Sequence, residues 1–525
     1  ALLFQKSQIK QKIPKSELNL LNNQNSYFFC IFEKYINNLI MIFNEVKNFI
    51  NGDFKSGSSN KIHSVISPLD GSELTTFKES TMEDLNEIVD FAKKAQKAWQ
   101  KVTLKERVQV LYKYKQLLEN NSPELTEIIY QENGKIHSEA KAEIDKAIEL
   151  TEFACAIPQF VNGENMEVSK GVYCSSTRNP LGVVASIVPF NFPSMVPHWT
   201  VVNAIALGNA MILKPSEAVP ISSQYIAKLL KEAGLPDGLF NIINGTQSTV
   251  ENLCDHPEIK AITFVGSTKV AKIVYQRASN NLKQVLALGG AKNHILLLPD
   301  AHPDMASSNI VASMSGCAGQ RCMAAATLIV VGDCDAILDK LIGDANKIKC
   351  GTTLGAVISK AAKDRIEVYI TEAEQQGAKI ILDGRNTVVP GKENGFYVGP
   401  TIIDYATADM KIAREEVFGP VLAIVRVKTV DEALAIENAN PYGNACSVFT
   451  QSGGMANYVT ENASAGMCGV NIGVPVPREP FGFGGWNESR FGSGDITGKS
   501  SIGFFTKEKK TTTKWNPEAG TNWMS

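Results

Sequence analysis

No CxxC pair occurs among the 10 cysteines of this 525-residue chain, which lie scattered at 30, 155, 174, 254, 317, 322, 334, 350, 446 and 468. That spacing and density are unlike a secreted disulfide scaffold. They fit free thiols in a reducing compartment, mitochondrial or cytoplasmic. Histidine is scarce: the six copies form no HxxxH and no His/Cys cluster, which argues against a zinc site and for a metal-free protein. An excess of one charge is missing too. Lys and Arg total 52 against 54 Asp and Glu, for a net charge of -2, so nothing electrostatic favours nucleic acid or an anionic membrane as partner. Long apolar runs are absent. The greasiest early stretch, Leu39 to Phe43, falls far short of the roughly 20 residues a spanning helix needs.

Residues 1–45 lack arginine, and the first Met is Met41. Lys6, Lys10, Lys12 and Lys15 give a weak transit-peptide flavour, but the missing Arg favours an N-terminal extension or upstream sequence ahead of Met41. Beyond it the chain is long enough for roughly three domains, and its 44% hydrophobic content is ample for a core. Asn51-Gly52-Asp53 and Ser67-Pro68-Leu69-Asp70-Gly71 are turn signals between short extended pieces. Thr81-Met82-Glu83-Asp84 reads as a helix start before the periodic run Leu85 to Trp99. Helical pattern continues over 104–120 and 123–153. The texture then turns to α/β: the runs 181–188, 210–213 and 261–265 read as short buried strands, and a helix is expected from Val270. The alternation returns between 295 and 425. Strands alternating with helices predict a parallel, doubly wound sheet.

The chemistry concentrates in four segments. Ser315-Gly316-Cys317-Ala318-Gly319-Gln320-Arg321-Cys322 sets small residues before a thiol, which suits presentation at a turn beside backbone N–H groups and a cation. Cys317 and Cys322 compete for that role, and a buried inert cysteine is the commoner outcome for such a segment alone. Val188-Pro189-Phe190-Asn191 follows a strand, where doubly wound sheets bind ligands. The Asn191 amide there is either an oxyanion donor or a turn former. Lys214-Pro215-Ser216-Glu217 ends the next strand: a solvated charge pair, or a pair for ribose hydroxyls whose carboxylate disfavours a 2′-phosphate. Phe264-Val265-Gly266-Ser267-Thr268 runs strand, Gly turn, helix N-terminus, which is a simple cap or a pyrophosphate seat. No convincing GxGxxG is present.

These segments, in this order, together with Glu415-Glu416-Val417-Phe418-Gly419-Pro420-Val421 and Asn440-Pro441-Tyr442-Gly443, resemble the aldehyde dehydrogenase superfamily from about Lys47 to Trp515. The resemblance implies Cys322 as nucleophile, with Asn191 and the Cys322 N–H as oxyanion hole. It implies an NAD site lined by Val188, Phe190, Lys214, Glu217, Ala218, Ser267, Gly289, Glu416 and Phe418. The implied α/β fold has a Rossmann-like NAD-binding domain (46–160 and 181–290) and an α/β catalytic domain (291–490). A β oligomerisation arm (161–180 and 503–515) would make a homo-oligomer, dimer or tetramer.

One expected residue is missing. Hydrolytic members of that superfamily carry a Glu in a Glu-Leu-Gly-Gly segment to activate water. This chain has Ala287-Leu288-Gly289-Gly290-Ala291-Lys292-Asn293-His294, with Ala287 or Leu288 at the Glu position depending on the alignment. Neither accepts a proton, so water attack loses a general-base contribution of roughly 10²–10⁴-fold. A thiol needs less help, which points to coenzyme A as acyl acceptor. Pro189-Phe190-Asn191-Phe192-Pro193, Cys254-Asp255-His256-Pro257, Gly319-Gln320-Arg321-Cys322-Met323 and Pro475-Val476-Pro477 further resemble the CoA-acylating methylmalonate-semialdehyde dehydrogenases. Those oxidise methylmalonate and malonate semialdehydes with NAD, releasing CO2. They grip the substrate carboxylate with two arginines. Arg321 matches one, and Lys146 stands at the other, keeping the charge but losing the bidentate fork. A hydrolytic aldehyde dehydrogenase and a non-catalytic protein on the same fold are the alternatives.

Overall fold

The computed structural model describes residues 45–515; the expected N-terminal extension, but for Glu45, lies outside the described residues. Local signals set the helix ends closely. Thr81 and Asp84 form a reciprocal capping box, so the helix expected from Leu85 begins at Met82 and runs to Trp99. Thr103 and Glu106 do the same for Leu104–Asn120. The pattern over 123–153 is two helices, Ser122–Asn133 and His137–Ala156. Gly134 breaks it with φ 84, and a Cβ there would lie 2.8 Å from the Pro68 side chain. Apolar periodicity resumes across such a break and hides it.

Two sheets carry the molecule. In the first, the strands Phe240–Ile242, Ala210–Lys214, Val183–Ile187, Ile259–Val265 and Gln284–Leu288 lie side by side in that order, all parallel. Antiparallel strands Asn48–Ile50 and Arg490–Gly492 flank them, with Asp53–Lys55 outside the former. Val183–Ile187 and Ala210–Lys214 are buried along their whole length, as continuous aliphatic runs covered on both faces should be. Chain order reverses between Val183–Ile187 and Ile259–Val265. A crevice at the carboxyl ends of those two strands is where such a sheet binds a ligand.

The second sheet orders as Lys379–Leu382, Thr401–Asp404, Val421–Val427, Ala325–Val331, Asn293–Leu297, Ala445–Phe449 and Met467–Val470, parallel except for the first pair. Strand Gln284–Leu288 of the first sheet is followed by Asn293–Leu297 of the second, so residues 289–292 cross from one to the other. A three-stranded antiparallel sheet, Asn165–Ser169, Val172–Pro180 and Thr506–Lys514, stands apart with mostly exposed side chains. Its register runs from Thr506↔Pro180 to Lys514↔Val172. Among the described residues no helix is long and apolar enough to cross a membrane.

Candidate active site

Helix Pro303–Ser315 stops at Gly316, and the chain then winds the wrong way: Cys317 (φ 52, ψ 40), Ala318 (φ 53, ψ 36) and Gly319 (φ 68) are all left-handed. Consecutive non-glycine residues in that region are strained, and surrounding contacts must hold them. Those contacts are visible. The Cys317 N–H donates to Glu139 Oε1 at 2.6 Å. A Cβ on Gly319 would meet the Gly419 carbonyl oxygen, so only glycine lets the two loops touch. Gly316 likewise makes room for the Arg321 guanidinium, 2.4 Å from where its Cβ would be.

Cys322 follows in the turn before Ala325–Val331 and is half-buried. Its carbonyl accepts the side-chain amides of Asn293 and Asn444, each at 2.8 Å. Desolvation by the packed protein pushes its thiol up to about 12; the Glu416 carboxylate adds to the rise and Arg321 opposes it. Cys317 is buried, and its sulfur accepts Arg321 Nε at 3.4 Å. Asn191 meets the same loop: its side-chain amide donates to the Gln320 carbonyl at 2.9 Å, leaving a second N–H to give. An amide N–H of that kind is what an oxyanion requires.

A buried scaffold, invisible in the sequence pattern, fixes Asn191. Lys135 Nζ donates to the Asn191 carbonyl and to Glu143 Oε2, both at 2.7 Å, and lies 4.2 Å over the Phe192 ring. Glu143 Oε1 accepts the N–H groups of Ser194 and Met195 at 2.7 and 3.0 Å, at the start of helix Met195–Ala206. Asn133 donates to the Phe190 carbonyl at 2.8 Å. The two neighbours of left-handed Gly134 thus grip two successive carbonyls of the Asn191 loop.

Most of the expected cofactor residues follow the carboxyl ends of the strands around the chain reversal. Val188 donates its N–H to the Lys214 carbonyl at 3.1 Å. The Lys214 side chain is buried and pairs with Glu217 at 3.1 Å. Partial burial would raise the Glu217 carboxyl, but the Lys214 ammonium together with a backbone hydrogen bond outweighs it and holds the group below its usual range. Ala218 donates its N–H to Ser216 Oγ in the same turn. Ser267 precedes helix Thr268–Asn280 without capping it by its side chain, and an uncapped helix start at a strand's carboxyl end suits a pyrophosphate. These groups fit a dinucleotide. Phe190 and Phe418 meet edge to face at 5.8 Å.

Ala287 and Leu288 are buried in strand Gln284–Leu288. Gly289 and Gly290 follow, with the Gly290 N–H on Thr268 Oγ1 at 2.8 Å. A Cβ on Gly290 would lie 2.5 Å from a Glu416 carboxyl oxygen, so the glycine is what admits Glu416. Desolvation raises the Glu416 carboxyl to about 7, against the Ala291 N–H it accepts and the nearby Lys292. The charge that adds to the rise of the Cys322 thiol thus comes from the Glu415-Glu416 motif and not from the Ala287-Leu288 segment. Of the two candidate tail-binding cations, Arg321 lies 3.7 Å from Glu139, whereas Lys146 is bonded to Glu479 at 2.7 Å and Glu149 at 3.1 Å.

A thiol loop bonded to an amide donor, in a chain whose strand ends carry groups that fit a dinucleotide, suits a nucleotide-dependent dehydrogenase. Residues 54–511 match the aldehyde dehydrogenase family, and the chain belongs to that family. It is 41% identical over 478 residues to malonate-semialdehyde dehydrogenase 2 of Geobacillus kaustophilus, covering 90% of this chain and 99% of that one. To the malonate-semialdehyde dehydrogenase of Lacticaseibacillus casei it is 42% identical, covering 90% and 97%. The methylmalonate-semialdehyde dehydrogenase of Oceanimonas doudoroffii superposes with TM-score 0.90 at 39% identity, covering 91% and 100%. A Sinorhizobium meliloti protein assigned the same activity and solved with NAD gives 0.89 at 38%, covering 90% and 98%.

Proposed function

We propose that this enzyme oxidises a semialdehyde acid, malonate or methylmalonate semialdehyde, with NAD, and transfers the acyl group to coenzyme A. The Cys322 sulfur attacks the aldehyde carbon, and the Asn191 amide with the Cys322 N–H receives the oxyanion. Bound NAD supplies the acceptor for the hydride that leaves when the oxyanion collapses to a thioester on Cys322. Val188, Phe190, Lys214, Glu217, Ala218, Ser267, Gly289, Glu416 and Phe418 would hold it, Glu416 on the nicotinamide ribose. The acyl group on Cys322 loses CO2 and takes up a proton on the carbon that carried it, and the CoA thiolate then displaces the Cys322 thiolate to give acyl-CoA and the free enzyme.

The observation that carries the CoA step is the apolar pair Ala287 and Leu288, sealed in a strand where the hydrolytic enzymes place their base. The names of the relatives support the substrate. Glu416 favours a second outcome: with its carboxyl near 7 it is poised to accept a proton, and it would prime water if it left the ribose. One assay separates the two. With malonate semialdehyde and NAD, NADH should stop near one equivalent per Cys322 without CoA and continue with it. Sustained NADH production without CoA would establish hydrolysis instead.

A further inference from the structure

Lys146 and Arg321 meet different fates in this fold. On helix His137–Ala156, Glu139, Glu143 and Lys146 share one face by their spacing. Glu139 touches the thiol loop and Glu143 the Asn191 loop, so Lys146 continues the same site-facing row. Across from it runs the segment that carries Glu479. Ser313, on the helix leading into the thiol loop, donates to the Gly473 carbonyl at 2.6 Å, which ties the segment before Glu479 to that helix. Glu479 reaches Lys146 from this segment at 2.7 Å with its side chain 11% exposed. The second partner, Glu149, is 46% exposed and shared with Arg478.

We infer that Glu479 is a specificity-determining residue: it holds Lys146 in an internal ion pair, withholds that cation from an anionic substrate tail and leaves Arg321 to meet it. A mostly buried partner is weakly screened, and it is already in place, so a small carboxylate must displace it to reach Lys146. Arg321 is held more loosely: its carboxylate partner Glu139, 15% exposed, already accepts the Cys317 N–H, and the only hydrogen bond of the Arg321 side chain among the described residues goes to the Cys317 sulfur at 3.4 Å. Its 3.7 Å separation from Glu139 is outside hydrogen-bonding range, and its side chain is 25% exposed. The exposed Glu149 cannot replace Glu479, because water screens it. This assignment rests on the proposed function, since it presumes a substrate with a carboxylate tail.

Binding separates it from turnover. Ligand-observed NMR titration of the full-length enzyme would use 3-hydroxypropanoate, a substrate-sized carboxylate without the aldehyde, and 1-propanol as the uncharged control. Glu479→Gln should tighten 3-hydroxypropanoate about fivefold relative to 1-propanol, by releasing Lys146. The double variant Lys146→Met/Glu479→Gln, which deletes the pair as a unit, should return the ratio to within about twofold of the parent. No tightening in Glu479→Gln, or a double variant about tenfold weaker than the parent, would show that Lys146 already grips the tail and overturn the inference. Glu479→Ala gives the same comparison should Glu479→Gln fail to fold by circular dichroism. Absence of NADH formation from malonate semialdehyde would defeat the proposed reaction while leaving these titrations readable.

Discussion

At the scale of single residues, burial and Glu416 together set the chemistry of Cys322. A negative Glu416 makes Cys322 harder to ionise, and desolvation holds both groups toward their neutral forms. Below a pKa of about 12 the thiolate fraction grows about tenfold per pH unit, so alkylation of Cys322 by iodoacetamide should climb at that slope from pH 7 to 10. Glu416→Gln removes the like charge, lowers the thiol's pKa and should speed alkylation at any pH in that range. Slower alkylation would mean that Glu416 instead takes the Cys322 proton. Cys322→Ala should abolish NADH formation. Cys317→Ala removes one weak hydrogen bond to Arg321 and should cost less than about tenfold; the opposite ranking would move the nucleophile to Cys317.

Among the elements, the pieces that end strands were legible and the pieces that brace them were not. Val188 to Asn191, Lys214 to Ala218 and Gly266-Ser267 each follow an aliphatic run that is a strand, and turn chemistry marks where the run stops. Lys135 lies 56 residues from Asn191, and Lys146 lies 333 from Glu479, with no period linking either pair. Contacts of that kind depend on how helices dock, which local pattern does not encode. The brace has a measurable weight. Lys135→Met leaves Glu143 buried with two N–H donors but no cation and frees the Asn191 carbonyl. It should destabilise the protein by about 3 kcal/mol, read as a fall in Tm. It should also lower kcat by up to about 10²-fold with a smaller change in KM, because a shifted Asn191 serves the oxyanion more than the bound aldehyde. An unchanged kcat would reduce Lys135 to a structural role.

For the whole molecule, the alternation of strand and helix conveyed the doubly wound class. The reversal in strand order, which places the crevice, appears only in three dimensions. The antiparallel edge strand Arg490–Gly492 returns from late in the chain to the first sheet, a long-range pairing without a local signature. We propose that the projecting three-stranded sheet joins subunits. Met166, Val168 and Tyr173 lie exposed on it, apolar surface that an isolated chain leaves in water. Deleting residues 506–525 removes the strand that pairs with Val172–Pro180. The sedimentation coefficient should then fall to that of a smaller assembly, and an unchanged value would place the subunit contact elsewhere.

The backbone of Cys317, Ala318 and Gly319 has the hand of a mirror-image peptide. A D-amino acid placed at 318 by semisynthesis would rest in its own preferred basin, whereas the bulk and branching of an L-valine would be barred from it. The approach to Cys322 is therefore a stretch that the chirality of natural amino acids disfavours and that its neighbours keep wound.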